Sequence, residues 1–209
     1  MFNFTIGVLA LQGDVKEHCR AVSSLGARPL EIKYTEQLEV IDGLIIPGGE
    51  STTLDILSRE KAVDMMSRIA SLANDGLPLY GTCMGSILMA KRILGARPGQ
   101  KSLNLMDITV ERNAYGSQKA SFEAELDICG FKQPLNAVFI RAPKIVESGP
   151  GVSVLATFDD STVMARENNF LVTTFHPEIT DDLRVHQLFL EMVETYSGLK
   201  VRELVRTGV

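Results

Sequence analysis

The sequence predicts an α/β protein with a mixed, mainly parallel central sheet. Two features of the chain carry this. Over the first 100 residues, short β-rich runs alternate with helical patterns, the mark of parallel strands joined by crossover helices. After about residue 100, strand-like runs follow one another over short connections, which suggests antiparallel additions to the same sheet. The chain has 209 residues, 45% of them hydrophobic, with no repeat, low-complexity tract or Pro/Ser-rich linker. One compact domain over residues 1–209 is therefore expected.

The elements follow in order. Thr5 to Leu11 is an apolar run consistent with a strand buried on both faces. Asp14 suits the cap of a helix whose positions Val15, Cys19, Val22 and Leu25 keep helical spacing, and Gly26 ends it. Arg28 to Lys33 and Gly43 to Ile46 read as the second and third strands, the latter cut off by Pro47-Gly48-Gly49. A helical stretch, in one or two pieces, runs from about Ser51 to Ala73. Leu77 to Tyr80 is the next strand, followed by Gly81-Thr82-Cys83-Met84-Gly85 and a helix through Met89 and Lys91. Strands are then expected at Asp107–Glu111, Ser121–Leu126, Ala137–Arg141, Val152–Phe158, Thr162–Arg166 and Phe170–Phe175. A closing helix is expected from about Asp182 to Tyr196, with the tail from Lys200 to Arg206 as a solvated helix end.

Composition removes several functions. With 21 basic and 26 acidic residues the net charge is −5, which argues against a nucleic-acid or anionic-membrane surface. No apolar run approaches the length of a membrane span, and the first residues carry no basic, signal-like segment. Cys19, Cys83 and Cys129 are an odd, widely spaced set without zinc-ligand spacing, so a reducing cytoplasm is expected; no metal or tightly bound cofactor is implied. Cys19 and Cys129 read as core or turn residues.

The chemistry centres on Gly81-Thr82-Cys83-Met84-Gly85. Its form is Gly-x-nucleophile-x-Gly between a strand and a helix, the context of a nucleophile elbow. Glycines on both sides permit a tight turn that lifts the thiol out of the sheet's carboxyl edge, where a helix N-terminus favours the thiolate. A thiol nucleophile needs a base. His176 follows the strand at Phe170–Phe175, and Glu178, two residues on, suits the role of orienting the imidazole. Together they make a Cys83–His176–Glu178 triad. His18 and His186 read as surface or partner-facing histidines. Pro47-Gly48-Gly49-Glu50-Ser51-Thr52-Thr53 supplies consecutive glycines whose N–H groups can approach an oxyanion; it also suits a turn into a capped helix.

On these elements the sequence resembles the class I, triad-type glutamine amidotransferases. It is similar to the branch that serves pyridoxal 5′-phosphate synthase as glutaminase subunit. The matching stretches are Gly7–Asp14, Pro47–Thr53, Gly81–Cys83, Glu111–Gln118, Phe139–Pro143 and Phe175–Glu178, in family order. Met84 stands where the family often has alanine and Ser117 where arginine is common. The resemblance implies a three-layer, flavodoxin-like fold and hydrolysis of L-glutamine to glutamate and ammonia. It implies that Gly48, Gly49, Glu50, Arg112, Ile140 and Arg141 hold the glutamine. Gln12 would lie near a barrel-shaped synthase subunit, which in a large heteromeric complex would use the ammonia, a pentose phosphate and a triose phosphate. Pyridoxal 5′-phosphate would be product, not cofactor. The alternatives are a glutaminase of another amidotransferase, a different cysteine hydrolase of related architecture, and a non-catalytic regulatory subunit.

Overall fold

The computed structural model describes residues 4–11, 13–49, 60–96, 99–100, 102–112, 114 and 121–207. The first half of the chain runs β1 (Thr5–Leu9), α1 (Val15–Ser24), β2 (Arg28–Ile32), β3 (Gly43–Ile46), α2 (Glu60–Asn74), β4 (Leu79–Thr82), α3 (Met84–Met89) and β5 (Ala90–Leu94). The second half adds β6 (Met106–Glu111), β7 (Ser121–Leu126), β8 (Leu135–Ile140), β9 (Lys144–Ser148), β10 (Ser153–Phe158), β11 (Ser161–Glu167), β12 (Phe170–Thr173) and α4 (Arg184–Thr207). Short 3₁₀ segments lie at Thr35–Val40 and Pro177–Ile179.

The main sheet has the order β2-β1-β3-β4-β12-β11-β9-β6-β5, with β10 also paired to β11. Neighbours from β2 through β12 are parallel. Beyond β12 the pairs with β11, β9 and β6 are antiparallel, and β5 returns parallel to β6. Strands β7 and β8 form a separate antiparallel hairpin. The expected mixed, mainly parallel α/β sheet is what forms.

Alternation along the central strands produces the layers. Successive side chains of a strand face opposite ways. Ile45, Tyr80 and Leu171 therefore join one core with Val22 of α1 and Phe189 and Val193 of α4. Their neighbours Leu44, Ile46, Leu79, Phe170 and Val172 join a second core with Met65 and Ile69 of α2 and Ile87 of α3. Two apolar faces on one strand require cover on both sides, and the helices provide it.

Register then sets the working edge. Ile46 pairs with Gly81, and Thr82 with Thr173, so β3, β4 and β12 end abreast. The segments beginning at Pro47, Cys83 and Thr174 leave the sheet side by side. In parallel sheets this carboxyl edge is where ligands bind.

Two strands depart from expectation. The expected helix runs on through Lys91, but Ala90–Leu94 form β5, and Lys144–Ser148, left between strands, forms β9. The helix after the nucleophile is only Met84–Met89. The fourth strand runs on to Thr82 and so delivers Cys83 directly from the sheet. The closing helix extends past Tyr196 to Thr207, taking in the predicted helical tail. Residues 51–59, expected to begin a helix, lie outside the described residues.

Candidate active site

Cys83 occupies the turn between β4 and α3 with φ 47° and ψ −105°, a conformation most side chains avoid. Holding it costs of order 1–3 kcal/mol. Its N–H donates to the Thr173 carbonyl at 2.8 Å, and its carbonyl oxygen accepts from the Ser86 hydroxyl at 2.6 Å. The flanking glycines are there for space. A Cβ on Gly85 would sit 2.2 Å from the Ile46 carbonyl oxygen, and one on Gly81 would sit 2.7 Å from Gly85. The elbow closes because α3 packs backbone to backbone on β3 and β4.

His176 is reached from β12 through Phe175. Its N–H donates to the Val138 carbonyl of β8 at 2.8 Å, fixing the backbone against the hairpin. The aromatic rings reinforce this. Phe139 stacks on Phe122 at 4.6 Å and lies 5.6 Å from Phe158 and 5.7 Å from Phe175. Each such pair contributes about 0.5–1.5 kcal/mol beyond area burial. The same cluster holds Ile140, whose carbonyl oxygen lies 3.9 Å from Cys83 Sγ and can accept its S–H.

The imidazole Nδ1 is 2.7 Å from Glu178 Oε1, and both side chains are buried. The structure thus brings His176 and Glu178 together, with Cys83 in hydrogen-bonding reach of the same imidazole. A second carboxylate joins it: Asp14 Oδ2 lies 3.3 Å from the same Nδ1. Asp14 stands at the N-cap position of α1 but makes no side-chain cap hydrogen bond, so its carboxylate is turned to His176 instead. Burial alone would lower the affinity of His176 for its proton. Hydrogen bonds with Asp14, Cys83 and Glu178 outweigh this and push its pKa up to about 12. Asp14 is lowered chiefly by its hydrogen bond with His176, and Glu178 is raised by burial, partly offset by His176. The three ligand atoms of Asp14, His176 and Glu178 lie within 4.8 Å of one another, the spacing of a metal cage. With Nδ1 hydrogen-bonded to Glu178, the set suits a shared proton better than a cation.

Gly48 lies against both Cys83 and His176. A Cβ there would come 2.6 Å from His176 Cε1 and 3.2 Å from Cys83 Cβ. Its N–H donates to Thr82 Oγ1 at 2.9 Å. Its carbonyl oxygen faces Gly13, where a Cβ would approach it to 1.7 Å. Gly49 follows, half-buried, at the same edge. Glu50 and Gln12 lie outside the described residues. Arg141, next to Ile140, is exposed and has φ 43°. Arg112 follows β6 and donates to Gln100 Oε1 at 2.7 Å.

His18 and His186 correct the sequence reading. Both are fully buried, not surface-facing. They meet beneath the triad, His18 Nδ1 lying 2.9 Å from His186 Nε2. One signal was available. Asp14 and His18 are four residues apart and so share a face of α1. Cys19 is half-buried and Cys129 lies exposed in a turn.

The chain is similar to known proteins along most of its length. The model of the SNO glutamine amidotransferase family matches residues 8–195. The chain is 53% identical to the pyridoxal 5′-phosphate synthase subunit PdxT of Thermotoga petrophila over 190 residues, 90% of this chain and 99% of that one. It is also 53% identical to PdxT of Geobacillus kaustophilus over 189 residues, covering 90% and 94% of the two chains. A crystal structure of a glutamine amidotransferase superposes with TM-score 0.83 at 44% identity, over 90% of this chain and 98% of that one. The structure of PurLQS from Thermotoga maritima, with TM-score 0.64 at 16% identity, shares the fold over 94% of this chain and 97% of the matched one. Matched from the first strand into the last helix, this chain belongs to the SNO glutamine amidotransferase family.

Proposed function

We propose that this chain hydrolyses L-glutamine to L-glutamate and ammonia and passes the ammonia to a partner subunit that makes pyridoxal 5′-phosphate. The observation that carries the reading is Cys83 on a strained elbow beside His176, whose far nitrogen is bonded to buried Glu178. The likeness to PdxT chains over nine-tenths of the sequence supports the substrate and the pathway.

In the reaction, the Cys83 thiolate attacks the side-chain amide carbon of glutamine, forming a tetrahedral oxyanion. The Met84 N–H and the Gly48-Gly49 segment stabilise it. Because the Gly48 N–H is given to Thr82, the Gly49 N–H is the donor that this segment offers. His176, protonated at rest, gives its proton to the departing ammonia. It then takes one from the water that hydrolyses the glutamyl thioester. Glu178 holds the ring in position and offsets its charge. Gly48, Gly49, Glu50 and Ile140 line the glutamine site, with Arg112 and Arg141 as guanidinium partners for its carboxylate.

The partner is a barrel-shaped synthase subunit in a large heteromeric complex, and the glutaminase unit spans residues 1–209. The Gly48-Gly49 peptide, packed by its carbonyl on the Gly13 segment next to Gln12, gives that partner a handle on oxyanion geometry. Among the described residues no helix is long and apolar enough to cross a membrane.

The test is ammonia release from L-glutamine, measured for the chain alone and with a pyridoxal 5′-phosphate synthase subunit present. The expected result is faster release when the synthase is added, abolished in Cys83→Ala. A correctly folded chain that releases none in either condition would overturn the reading.

A further inference from the structure

Beneath the triad lies a layer of buried polar groups that the reaction scheme leaves unused. His18 of α1, His186 of α4, Tyr80 and Thr82 of β4 and Thr173 of β12 are all fully buried. Tyr80 meets both imidazoles edge-on, at 6.3 Å and 6.0 Å, and its hydroxyl lies 3.1 Å from Thr173 Oγ1. Two histidines in a core are costly to bury, and an apolar pair of similar volume would pack there at less expense.

What the layer touches gives it a use. His18 Nε2 is 3.2 Å from Thr82 Oγ1 and 3.6 Å from Glu178 Oε1. Thr82 Oγ1 accepts the Gly48 N–H. Glu178 Oε1 accepts from His176. One ring nitrogen thus sits in the fork between the group that anchors the oxyanion segment and the group that orients the base.

We propose that His18 is a positioning residue for the glutaminase reaction, holding Thr82 and Glu178 in fixed relation from below so that Gly48 and His176 keep their places around Cys83. This rests on the glutaminase reading above. Burial keeps both histidines neutral, lowering His18 well below its ordinary range and His186 to about 4. Each neutral ring carries one proton. A lone pair on His18 Nε2 would face the Glu178 carboxylate, whereas an N–H there is attracted to it. The proton of His18 therefore sits on Nε2, and Nδ1 accepts from His186 Nε2–H. His186 fixes the tautomer, His18 donates into the fork, and Thr82 passes the constraint to Gly48.

The test compares folded variants assembled with the synthase subunit. His18→Leu and Thr82→Val remove the donor and the hydroxyl while keeping approximate volume. His18→Gln restores a donor near the Nε2 position, and Thr82→Ser restores the hydroxyl. The two apolar variants are expected to lose about 10- to 100-fold in kcat with KM changed less than about threefold, because the constraint acts on groups used in the transition state. The conservative variants are expected to recover most of that loss. Melting temperatures identify any variant that fails to fold, and if His18→Leu does, Thr82→Val decides alone. Nitrogen chemical shifts of the imidazoles give a readout independent of turnover. His18 should titrate nowhere near neutrality and carry its proton on Nε2, and His176 should shift in both apolar variants. Wild-type kcat in folded His18→Leu or Thr82→Val, or a His176 signal indifferent to both, would overturn the inference. A wild-type chain inert to glutamine would instead sink the glutaminase reading, and the His176 signal would still decide the role of His18.

Discussion

Asp14 Oδ2 stands 3.3 Å from Nδ1 of His176, so this imidazole answers to two carboxylates. Glu178 is buried and the nearer; Asp14 is partly exposed, on the segment that enters α1. Burial opposes the charge of His176, but the two carboxylates together with Cys83 outweigh it and push its pKa up to about 12. Replacing Asp14 by Asn keeps the shape and removes one of the two charges. The basic limb of the kcat/KM–pH profile, where the imidazolium loses its proton, should then move to lower pH. Profiles of wild type and variant that superimpose between pH 6 and pH 11 would contradict this.

The reacting pair should behave as a unit. Cys83→Ala and His176→Ala are each expected to lower kcat by roughly 10³-fold or more, and the double variant should be no slower than Cys83→Ala alone. Initial rates of ammonia release for the three proteins decide it. Effects that multiply would mean that His176 assists a reaction not using the thiol.

Gly13 and Gly130 form a matched pair for separating torsion from space. Their φ values are 92° and 87°, but a Cβ on Gly13 meets the Gly48 carbonyl at 1.7 Å while one on Gly130 meets nothing within 4 Å. Alanine at Gly130 should cost only the left-handed backbone penalty, roughly 1–2 kcal/mol, and leave kcat unchanged. Alanine at Gly13 should cost more than that and also lower kcat, because the Gly48-Gly49 peptide must shift. Urea midpoints and turnover of both variants test the contrast. Equal loss of kcat in the two would show that backbone strain alone accounts for the effect.

Acid should destabilise the fold through the buried histidines. His186 has its pKa lowered from 6.5 to about 4 by burial. Between those values the unfolded chain takes up a proton that the folded one does not, so stability falls as pH falls from 6.5 to 4. The loss from His186 is on the order of 3 kcal/mol, and His18 acts in the same direction. His186→Leu should flatten much of this dependence. Urea unfolding at pH 7 and pH 5 measures it, and an unchanged slope in the variant would count against the assignment.

Where local pattern carries information, the sequence was readable. The apolar runs at Thr5, Gly43 and Phe170 end at the carboxyl edge as expected, and glycine spacing around Cys83 marked the elbow before any packing was visible. Strand β5 was not readable. Its alternation is weak and Lys91 and Arg92 are exposed; what makes it a strand is its pairing with β6, reinforced by Lys91–Asp107 and by Arg92 with Thr109 and Glu147. The contact of His18 with His186 joins residues 168 apart in sequence, and helical spacing alone cannot tell a histidine facing water from one facing another histidine. Asp14 stands at the N-cap as read, but the partner of its carboxylate was hidden for a related reason. Its residue type and place satisfy the rule for a helix cap, and only the return of the chain at His176 offers it a better partner.

The torsion at Cys83 has a consequence for how this protein can be improved. At φ 47° and ψ −105° the nucleophile sits where glycine would rest more easily. A screen scoring heat tolerance alone would therefore reward Cys83→Gly, gaining about 1 kcal/mol or more by discarding the thiol that we propose as the nucleophile. Selection for robustness and selection for chemistry pull in opposite directions at this residue. Any campaign to harden the scaffold must score ammonia release alongside survival.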